Sequence, residues 1–320
     1  MTEINRRGFL HTTALASLSA AGVCLSRGTV HAGEQKRKFT MDLVCGAIGV
    51  RADQVQAIDL AHKYGFESMA PSAQYLSRLS DSETEELLGT MKQKNLVWGS
   101  AGLPVDFRRD EERFRAGLEG LPELAKAIRR AGGSRVNTWL RPSHDTLTYV
   151  SNFKQHARRL GEIAKVLADH DLRLGLEYVG PKTSWTGSRH TFIHTMAETK
   201  ELIAEIGQGN VGFVLDSWHW YTAHETEQDL LSLTGDDVVA CDLNDAPAGI
   251  LVDEQMDGSR ELPAATGVID LKAFLGALIQ IGYDGPVRAE PFNKKLRDMD
   301  NEPAMATTAA AIKKAFALVS

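Results

Sequence analysis

Short apolar runs that end in an acidic residue recur along the second half of the chain. One run, Gly-Phe-Val-Leu at 212–215, ends in Asp216. Three others end in Glu177, Asp242 and Glu290. An apolar run of this length without alternation is typical of a strand buried on both faces, as in a parallel sheet. The acidic residues therefore mark the points where such strands reach the surface.

Segments with helical spacing of apolar residues alternate with these runs. The predicted strands cover 39–45, 66–71, 96–100, 135–140, 173–177, 212–216, 238–242 and 286–290. The predicted helices cover 52–64, 82–94, 111–131, 147–170, 190–206, 226–233, 270–281 and 304–318. This alternation, with no region made of strands alone, favours a closed barrel over an open doubly wound sheet. The predicted fold is α/β, a single (β/α)8 TIM barrel preceded by a cleaved export signal.

The acidic strand ends predict a metal site. The carboxyl ends of all strands in such a barrel meet at one face, where active sites lie. Glu177, Asp216, Asp242 and Glu290 are therefore expected to share one pocket. Like charges crowd together at low dielectric only where a positive charge offsets them. We predict one divalent cation bound by these four carboxylates, with a nitrogen of His219 nearby.

Glu177 and Glu290 are the predicted catalytic residues. They end the fifth and the eighth strand, so their side chains can face each other across the barrel mouth. Isomerisation or epimerisation beside a carbonyl needs a base that takes a carbon-bound proton and an acid that returns one. It also needs a cation that stabilises the negative oxygen. Two carboxylates and a metal ion supply all three.

Composition and charge narrow the partners. The chain has 320 residues, 43% of them hydrophobic and 24% charged, which fits a globular protein with one barrel and an extension. The formal net charge of −6 argues against a nucleic-acid partner, because such proteins usually carry a basic surface. No complete glycine-rich fingerprint follows the first strand, so no nicotinamide cofactor is expected. The long connection at 244–266 is expected to carry function.

The first residues are expected to lie outside the barrel. Arg6 and Arg7 precede a weakly apolar stretch at 13–25, and a small-residue cleavage motif ends at Ala32. This pattern resembles a twin-arginine export signal. Residues 1–32 are therefore assigned to a signal peptide that is removed after export.

Two kinds of anchor are alternatives for this segment. The apolar stretch is shorter than the about 20 residues that a membrane-spanning helix needs. A lipid anchor at Cys24 is disfavoured because Val23 is a poor residue before a modified cysteine. The mature barrel, 33–320, is therefore expected in the periplasm or outside the cell, without stable membrane insertion.

Several short motifs follow one another in the order typical of one protein family. They are Gly-Leu-Glu-Tyr at 175–178, Leu-Asp-Ser-Trp-His at 215–219, Asp-Leu-Asn-Asp-Ala-Pro at 242–247, Gly-Tyr-Asp-Gly-Pro at 282–286 and Ala-Glu-Pro-Phe at 289–292. Over residues 38–318 the chain resembles the xylose-isomerase-like barrel superfamily, specifically the sugar phosphate isomerases/epimerases. Each motif alone is weak, but their order and spacing together are fairly specific.

The resemblance implies a role for each strand-end residue. In the related ketose epimerases two Glu, one Asp and one His bind a single divalent metal, usually manganese, magnesium or cobalt, and the two Glu also move the proton. Glu177 and Glu290 match this pair, and Asp216 matches the aspartate ligand. Asp242 stands where the pattern has histidine. This departure either favours hard ions over zinc or removes Asp242 from the ligand set.

Three further residues are expected to contact the substrate. By resemblance, His219 matches a histidine that touches a substrate hydroxyl, and Arg260, in the long connection, holds the substrate. Trp218 and Trp220 flank this histidine, and aromatic faces stack on the apolar sides of sugar rings. One of the two, assigned here to Trp218, is expected to line the pocket while the other packs in the core.

A divalent-metal-dependent sugar isomerase or epimerase is the leading functional prediction. Its substrate is expected to be a free or glycosidically linked sugar, because phosphorylated sugars are scarce outside the cytoplasm. The alternatives are a metal-dependent lyase or hydrolase of 3-keto glycosides and a non-catalytic periplasmic sugar-binding protein. The abasic-site endonucleases of the superfamily are disfavoured, since they surround zinc with several histidines, and this chain offers His219 and little else at the strand ends. Pairing of two copies is expected from the resemblance alone.

Overall fold

The computed structural model describes residues 36–320. The export signal expected at 1–32, with its cleavage after Ala32, lies outside this range. Among the helices of the described range, none combines the length and the apolar character needed to span a membrane.

Nine short strands form one parallel sheet, and two more form a separate ribbon. In chain order the strands are β1 (Thr40–Leu43), β2 (Ser68–Met69), β3 (Val97–Trp98), β4 (Ala101–Gly102), β5 (Arg135–Trp139), β6 (Ser143–His144), β7 (Arg173–Glu177), β8 (His190–Thr191), β9 (Val211–Asp216), β10 (Val238–Leu243) and β11 (Pro286–Ala289). The main sheet has the order β3-β2-β1-β11-β10-β9-β7-β5-β4. Every residue of β10 is buried, as expected for a strand that is covered on both faces.

The two ends of this sheet are joined by only two residues, Gly99 and Ser100. β3 lies at one end of the strand order, and β4, which follows it along the chain, lies at the other. Counted as one interrupted strand, they close an eight-stranded barrel, so the predicted α/β barrel is confirmed. The pattern had predicted a continuous strand at 96–100. Only glycine fits at the interruption, because a Cβ at Gly99 would lie 2.2 Å from Oδ1 of Asp42 on β1.

Each predicted helix is present, although several boundaries differ. The helices are α1 (Gln54–Tyr64), α2 (Ala73–Leu76), α3 (Asp81–Gln93), α4 (Glu111–Arg130), α5 (Tyr149–Ala168), α6 (Lys182–Trp185), α7 (Met196–Ile206), α8 (Ser217–Thr222), α9 (Glu227–Leu231), α10 (Leu271–Gln280), α11 (Lys294–Arg297) and α12 (Asn301–Phe316), with 3-10 turns at Cys45–Ile48, Gly235–Asp237 and Val252–Glu254. Helix α3 begins one residue before the predicted start because Ser80 forms a capping box with Glu83.

An antiparallel ribbon joins two of the connections at the carboxyl ends of the strands. β6 follows β5, β8 follows β7, and the two pair through Ser143 with Thr191 and through His144 with His190. The fifth predicted helix therefore starts at Met196 instead of position 190. The ribbon ties together the connections that border Glu177 at the end of β7.

Candidate active site

The four acidic residues predicted from strand ends lie in one cluster. Glu177 and Asp216 are the last residues of β7 and β9, Asp242 is next to last in β10, and Glu290 directly follows β11. Ligand atoms of Glu177, Asp216 and His219 lie within 4.8 Å of one another, as do those of Glu177, Asp242 and Glu290. Glu177 is therefore common to two overlapping groups of potential metal ligands.

The turn after β9 places Asp216 and His219 on the same side of the chain. Asp216 caps the N-terminus of α8 and accepts a hydrogen bond from the Trp218 N–H at 2.8 Å. Asn244 donates to the same carboxylate oxygen at 2.9 Å. Because α8 starts at once, His219 lies in its first turn, with Nε2 3.8 Å from Asp216 Oδ2. The spacing of three residues seen in the sequence is thus a helical turn.

Arg260 reaches from the connection between β10 and α10 into the centre of the cluster. Its Nη1 donates to Asp216 Oδ2 at 2.7 Å and to Glu290 Oε2 at 3.4 Å. Its Nη2 donates to Asp257 Oδ1 at 2.8 Å. Burial opposes the charge on the side chain, yet these three carboxylates raise the pKa of Arg260 above its ordinary value. Arg260 is therefore an internal counter-ion of the site, and its contact with substrate stays a prediction.

Two donors converge on the ring of His219. The Gly180 N–H donates to Nδ1 at 3.2 Å, and Nη2 of Arg260 lies 3.2 Å from Nε2. Burial, followed by the charge of Arg260, lowers the pKa of His219 to about 3, so the ring is neutral at neutral pH. A neutral imidazole has a single acceptor nitrogen. The Gly180 N–H and Nη2 of Arg260 can only donate, so one of these two contacts is a hydrogen bond to the ring and the other is not. Nε2 lies 3.5 Å from Glu177 Oε1.

Burial raises the pKa values of three carboxyl groups in the cluster, those of Glu177, Asp216 and Glu290. Burial and the neighbouring charge of Glu290 raise the pKa of Glu177 well above its ordinary value. Burial and Asp242 raise the pKa of Glu290 to about 8, against the lowering effect of Arg260. Burial also raises the pKa of Asp216 to about 6. The cations of the cluster therefore do not stabilise all of its carboxyl groups in the charged form.

Asp242 is held by a second buried arginine that the sequence analysis did not identify. Arg288 on β11 donates to both carboxylate oxygens of Asp242, through Nε at 2.5 Å and Nη2 at 2.9 Å. Asp242 is fully buried and the Arg288 side chain is 7% exposed. Arg288 also donates to the side-chain amide of Asn137. This pair fixes the orientation of Asp242, so any ligand role for it involves a carboxylate that is already neutralised.

A cavity of about 510 Å³ borders the cluster. Its lining includes Glu177, His219, Arg260 and Glu290, so the structure brings together four of the predicted site residues. Asp257 also lines the cavity and was not predicted. Its signal in the sequence is its position three residues before Arg260, in the one long connection of the barrel.

The expectation for Trp218 is corrected by the structure. Trp218 is fully buried, does not line the cavity, and packs with its ring 5.7 Å from the Arg260 guanidinium. Neighbouring residues of a helix point about 100° apart. Since His219 faces the cavity, Trp218 faces the core. The tryptophan that lines the cavity is Trp139, which ends β5 and is 44% exposed.

The cluster fits a divalent cation. Oε1 of Glu177 is buried and accepts no hydrogen bond from the described residues. The donor set consists of carboxylate oxygens with an imidazole nearby, which suits divalent ions. Two guanidinium groups, those of Arg260 and Arg288, face four carboxylates, so negative charge remains for a cation to neutralise. The acidic cluster can therefore hold a divalent metal ion.

Comparison with known proteins places this fold and site in a family. The sequence model of the xylose isomerase-like TIM barrel matches residues 58–315. The chain belongs to this family. The resemblance deduced from the motifs at the strand ends is thereby confirmed at the level of the family.

Three proteins similar to this xylose isomerase-like barrel differ in how much of the chain they match. It is 25% identical to an inosose isomerase from Bacillus velezensis over 274 residues, which cover 82% of this chain and 92% of the relative. A solved xylose isomerase domain protein from Alicyclobacillus acidocaldarius has 31% identity and a TM-score of 0.75, covering 85% of this chain and 96% of that one. A 3-dehydroshikimate dehydratase from Pseudomonas aeruginosa is 27% identical over 188 residues, 58% of this chain and 28% of that protein.

Replacing Arg260 with glutamine is expected to make the stability of the barrel depend on a divalent cation. Asp216 and Glu290 lose their shared counter-ion and repel each other. In EDTA we expect the melting temperature of Arg260→Gln to fall several degrees below that of the wild type. Added Mn²⁺ is expected to raise it by more than it raises the wild type. Circular dichroism melts with and without Mn²⁺ measure both shifts.

Arg297 supplies a matched control for this variant. Its guanidinium lies 5.2 Å from the Phe292 ring, on which Arg260 also packs at 4.5 Å, and it is exposed. Arg297→Gln should therefore respond to Mn²⁺ as the wild type does. Equal responses of all three proteins would show that Arg260 does not act as the counter-ion of the cluster.

Glu225 is expected to make the barrel less stable as pH rises. It accepts hydrogen bonds from the Tyr178 hydroxyl and, at 2.6 Å, from the Met196 N–H. Burial raises the pKa of Glu225 from the ordinary 4.5 to about 7. The folded state therefore holds a proton that the unfolded state has released, so this contribution to stability is full below pH 4.5 and is lost as pH rises through about 7.

Urea unfolding between pH 5 and pH 8 tests this expectation. Because one pKa unit corresponds to about 1.4 kcal/mol, we expect Glu225 to account for about 2 kcal/mol of lost stability across the window. Glu225→Gln should flatten the pH dependence by that amount, since glutamine keeps an acceptor for the Met196 N–H. Parallel curves for the variant and the wild type would contradict the expectation.

Proposed function

We propose that the protein is a divalent-metal-dependent isomerase or epimerase of a sugar or a similar polyhydroxy ketone. The observation that carries the proposal is that the buried Glu177 and the partly buried Glu290 belong to one group of potential ligands within 4.8 Å, on the face of the barrel where the strands end. The similarity to an inosose isomerase along most of both chains supports the same class of reaction.

The residues of the cluster divide into metal ligands and substrate contacts in this proposal. Glu177, Asp216, Asp242 and Glu290 would hold the metal, and when bound it would polarise the substrate carbonyl. Manganese, magnesium or cobalt suits this set better than zinc, because every carboxylate ligand offers a hard oxygen. His219 would contact a substrate oxygen.

The proton transfer uses the two glutamates in turn. One glutamate, as a carboxylate, takes the proton from the carbon next to the carbonyl, and the electron pair of the broken C–H bond moves into the enediolate. The other glutamate, protonated and on the opposite side of that carbon, returns a proton. The result is inversion at the carbon in an epimerase. In an aldose-ketose isomerase, the proton returns instead to the former carbonyl carbon, and the hydroxyl proton on the first carbon moves to the former carbonyl oxygen.

Metal content and solvent exchange test the proposal together. The protein from Gly33 onward is assayed for bound metal and incubated in deuterated water with a panel of ketoses, aldoses, inososes and 3-keto glycosides. About one metal ion per chain and deuterium on a single substrate carbon are the expected results. Absence of exchange on every substrate, with metal bound, would leave the non-catalytic sugar-binding protein as the better explanation.

A metal-dependent lyase is the second candidate. The similarity to a 3-dehydroshikimate dehydratase favours it, although the match covers 28% of that protein. The same base could remove the proton beside a keto group, after which a neighbouring oxygen substituent leaves. The same incubation distinguishes the two, because elimination gives an unsaturated ketone that absorbs in the near ultraviolet and an isomerase gives none.

Export is also part of the proposal. The arginine pair Arg6-Arg7 and the cleavage motif ending at Ala32 support a periplasmic or secreted protein. N-terminal sequencing of the protein recovered from its native host should begin at Gly33. Replacing both arginines with lysine should leave the uncleaved chain in the cytoplasm, and an unchanged distribution would contradict twin-arginine export.

A further inference from the structure

A second cavity adjoins the one that borders the carboxylate cluster. The first has a volume of about 510 Å³ and the second about 680 Å³, and Trp139 and Arg141 line both. Other walls of the second cavity come from the connection after β4, the connection after β5, and one side of α5. Both cavities therefore lie on the face where the strands end, and their shared wall makes them neighbouring compartments of one site.

Trp139 is held rigidly in this shared wall. Arg108 lies with its guanidinium carbon 4.5 Å from the centre of the Trp139 ring and donates to the Trp139 carbonyl at 2.7 Å. It also donates to the Thr138 hydroxyl at 3.0 Å. Yet 44% of Trp139 stays exposed. A large aromatic ring that is fixed and exposed inside a cavity is suited to stack against the apolar face of a sugar ring.

The second cavity also offers polar groups that the fold does not use. The side chains of Arg141 and Gln155 line it and form no hydrogen bond or ion pair with any residue in 36–320. His144 accepts hydrogen bonds at Nδ1 from the Thr146 and Leu147 N–H groups at 3.1 and 2.9 Å. In the neutral ring the proton then lies on Nε2.

The remaining charged groups of the second cavity are already paired. Arg159 donates to Glu111 at 2.8 Å and to two backbone carbonyls, and Arg109 lies 3.6 Å from Asp106. Arg141 is thus the cation left for a ligand within the described lining. A guanidinium, an amide and an imidazole N–H provide the donors that hydroxyl and ring oxygens of a sugar accept.

The volumes of the two cavities indicate how large a ligand the site can hold. Sites for small ligands span about 300–1,000 Å³, so the first cavity alone is large enough for one sugar ring. The second cavity is larger than the first and adds Gln155 and His144 to the shared Trp139 and Arg141. A single ring in the first cavity would leave Gln155 and His144 unused.

We infer that the substrate is a glycoside of two linked rings. The reacting ring lies in the first cavity against Glu177 and Glu290, and the second ring lies in the second cavity, stacked on Trp139 with Arg141 and Gln155 as donors. The inference rests on the proposed function for the reacting ring and adds the substrate class. The bond that links the two rings then lies beside Trp139 and Arg141, which line both cavities.

Two keto sugars that differ by one ring test this inference. Methyl 3-keto-glucopyranoside is the one-ring probe and 3-keto-trehalose is the two-ring probe, and kcat/KM is measured for deuterium exchange from the solvent. We expect the two-ring probe to be preferred about tenfold or more. Gln155→Ala and Trp139→Ala should each reduce that ratio to about threefold or less. Lys154→Ala, an exposed neighbour on α5 outside both cavities, should keep the wild-type ratio.

The outcomes separate this inference from the proposed function. Exchange on both probes at equal kcat/KM overturns the two-ring substrate and leaves the isomerase or epimerase standing. If neither probe exchanges, saturation-transfer NMR decides. Tighter binding of 3-keto-trehalose that weakens in Gln155→Ala supports the second subsite while the proposed function fails. Equal or absent binding of the two probes overturns the inference as well.

Discussion

Glu177→Gln and Glu290→Gln are each expected to lower kcat for the isomerase or epimerase reaction by about 10³-fold. Glutamine has nearly the shape of glutamate but can neither take a proton from carbon nor return one. Both glutamates lie in the cavity wall, and ligand atoms of both lie within 4.8 Å of each other in one group with Asp242. Conversion is followed by chromatography of the products and exchange by NMR in deuterated water.

The two variants should differ in the partial reaction that survives. If the protein is an epimerase, the glutamate that takes the proton from one epimer returns it when the reaction starts from the other. A variant that lacks only the returning acid can still exchange the substrate proton with solvent, without inversion. We therefore expect Glu177→Gln and Glu290→Gln to exchange opposite epimers. Exchange of the same epimer by both would contradict the two-sided arrangement.

Metal loading must be measured beside activity, since both glutamates are also candidate ligands. Metal content after dialysis, determined by mass spectrometry, separates a variant that has lost the ion from one that has lost only the base. Glu254→Gln is the control. Glu254 is exposed in the turn Val252–Glu254, which lies in the same connection of the chain as Arg260. It should retain wild-type kcat and metal content.

Much of the barrel and of its acidic cluster can be predicted from the sequence. Continuous apolar runs such as those of β9 and β10 are buried on both faces in the structure, so their acidic ends had to emerge together. The spacing of Asp216 and His219 corresponded to the start of α8. These signals are local, because a strand, its end and the next helical turn are adjacent in the chain.

The partners of those carboxylates could not be predicted in the same way. Arg260 contacts Asp216 across 44 positions of the chain, and Arg288 contacts Asp242 across 46. Such pairs depend on how strands and connections meet in space. Arg288 nevertheless carried a signal: it lies two residues before Glu290 within an apolar strand, and alternation places both on the same face. An arginine on the inner face of a barrel requires an acidic partner there.

The Trp218 prediction failed for a related reason. The prediction relied on its proximity to His219 in the sequence, but consecutive helical residues face different directions. Trp139 lines the cavity instead because it ends β5, and strand ends face the same side as the other site residues. The rule that located the carboxylates would therefore have identified this tryptophan too.

Arg288→Met is expected to lower the free energy of unfolding by about 3–5 kcal/mol. Removing one member of a buried ion pair leaves the other charge uncompensated, and Asp242 is fully buried. Methionine keeps much of the length of the side chain, so loss of packing contributes little. Urea unfolding in EDTA measures the change without contributions from a bound metal. Asp242→Asn should be destabilising for the mirror-image reason, since it leaves the guanidinium without its carboxylate.

The double variant Asp242→Leu/Arg288→Met decides whether charge is the cause. Replacing a buried ion pair with apolar residues of similar size is often neutral, so the double variant should regain most of the stability that either single change loses. Arg135→Met is the matched control: this β5 arginine pairs with Asp284, which is 66% exposed, and such a pair contributes about 1 kcal/mol or less. If Arg288→Met were no more destabilising than Arg135→Met, Asp242 would be stable without its guanidinium. Its carboxylate would then be free to bind a metal as a charged ligand, which makes the urea experiment a test of the metal site as well as of the fold.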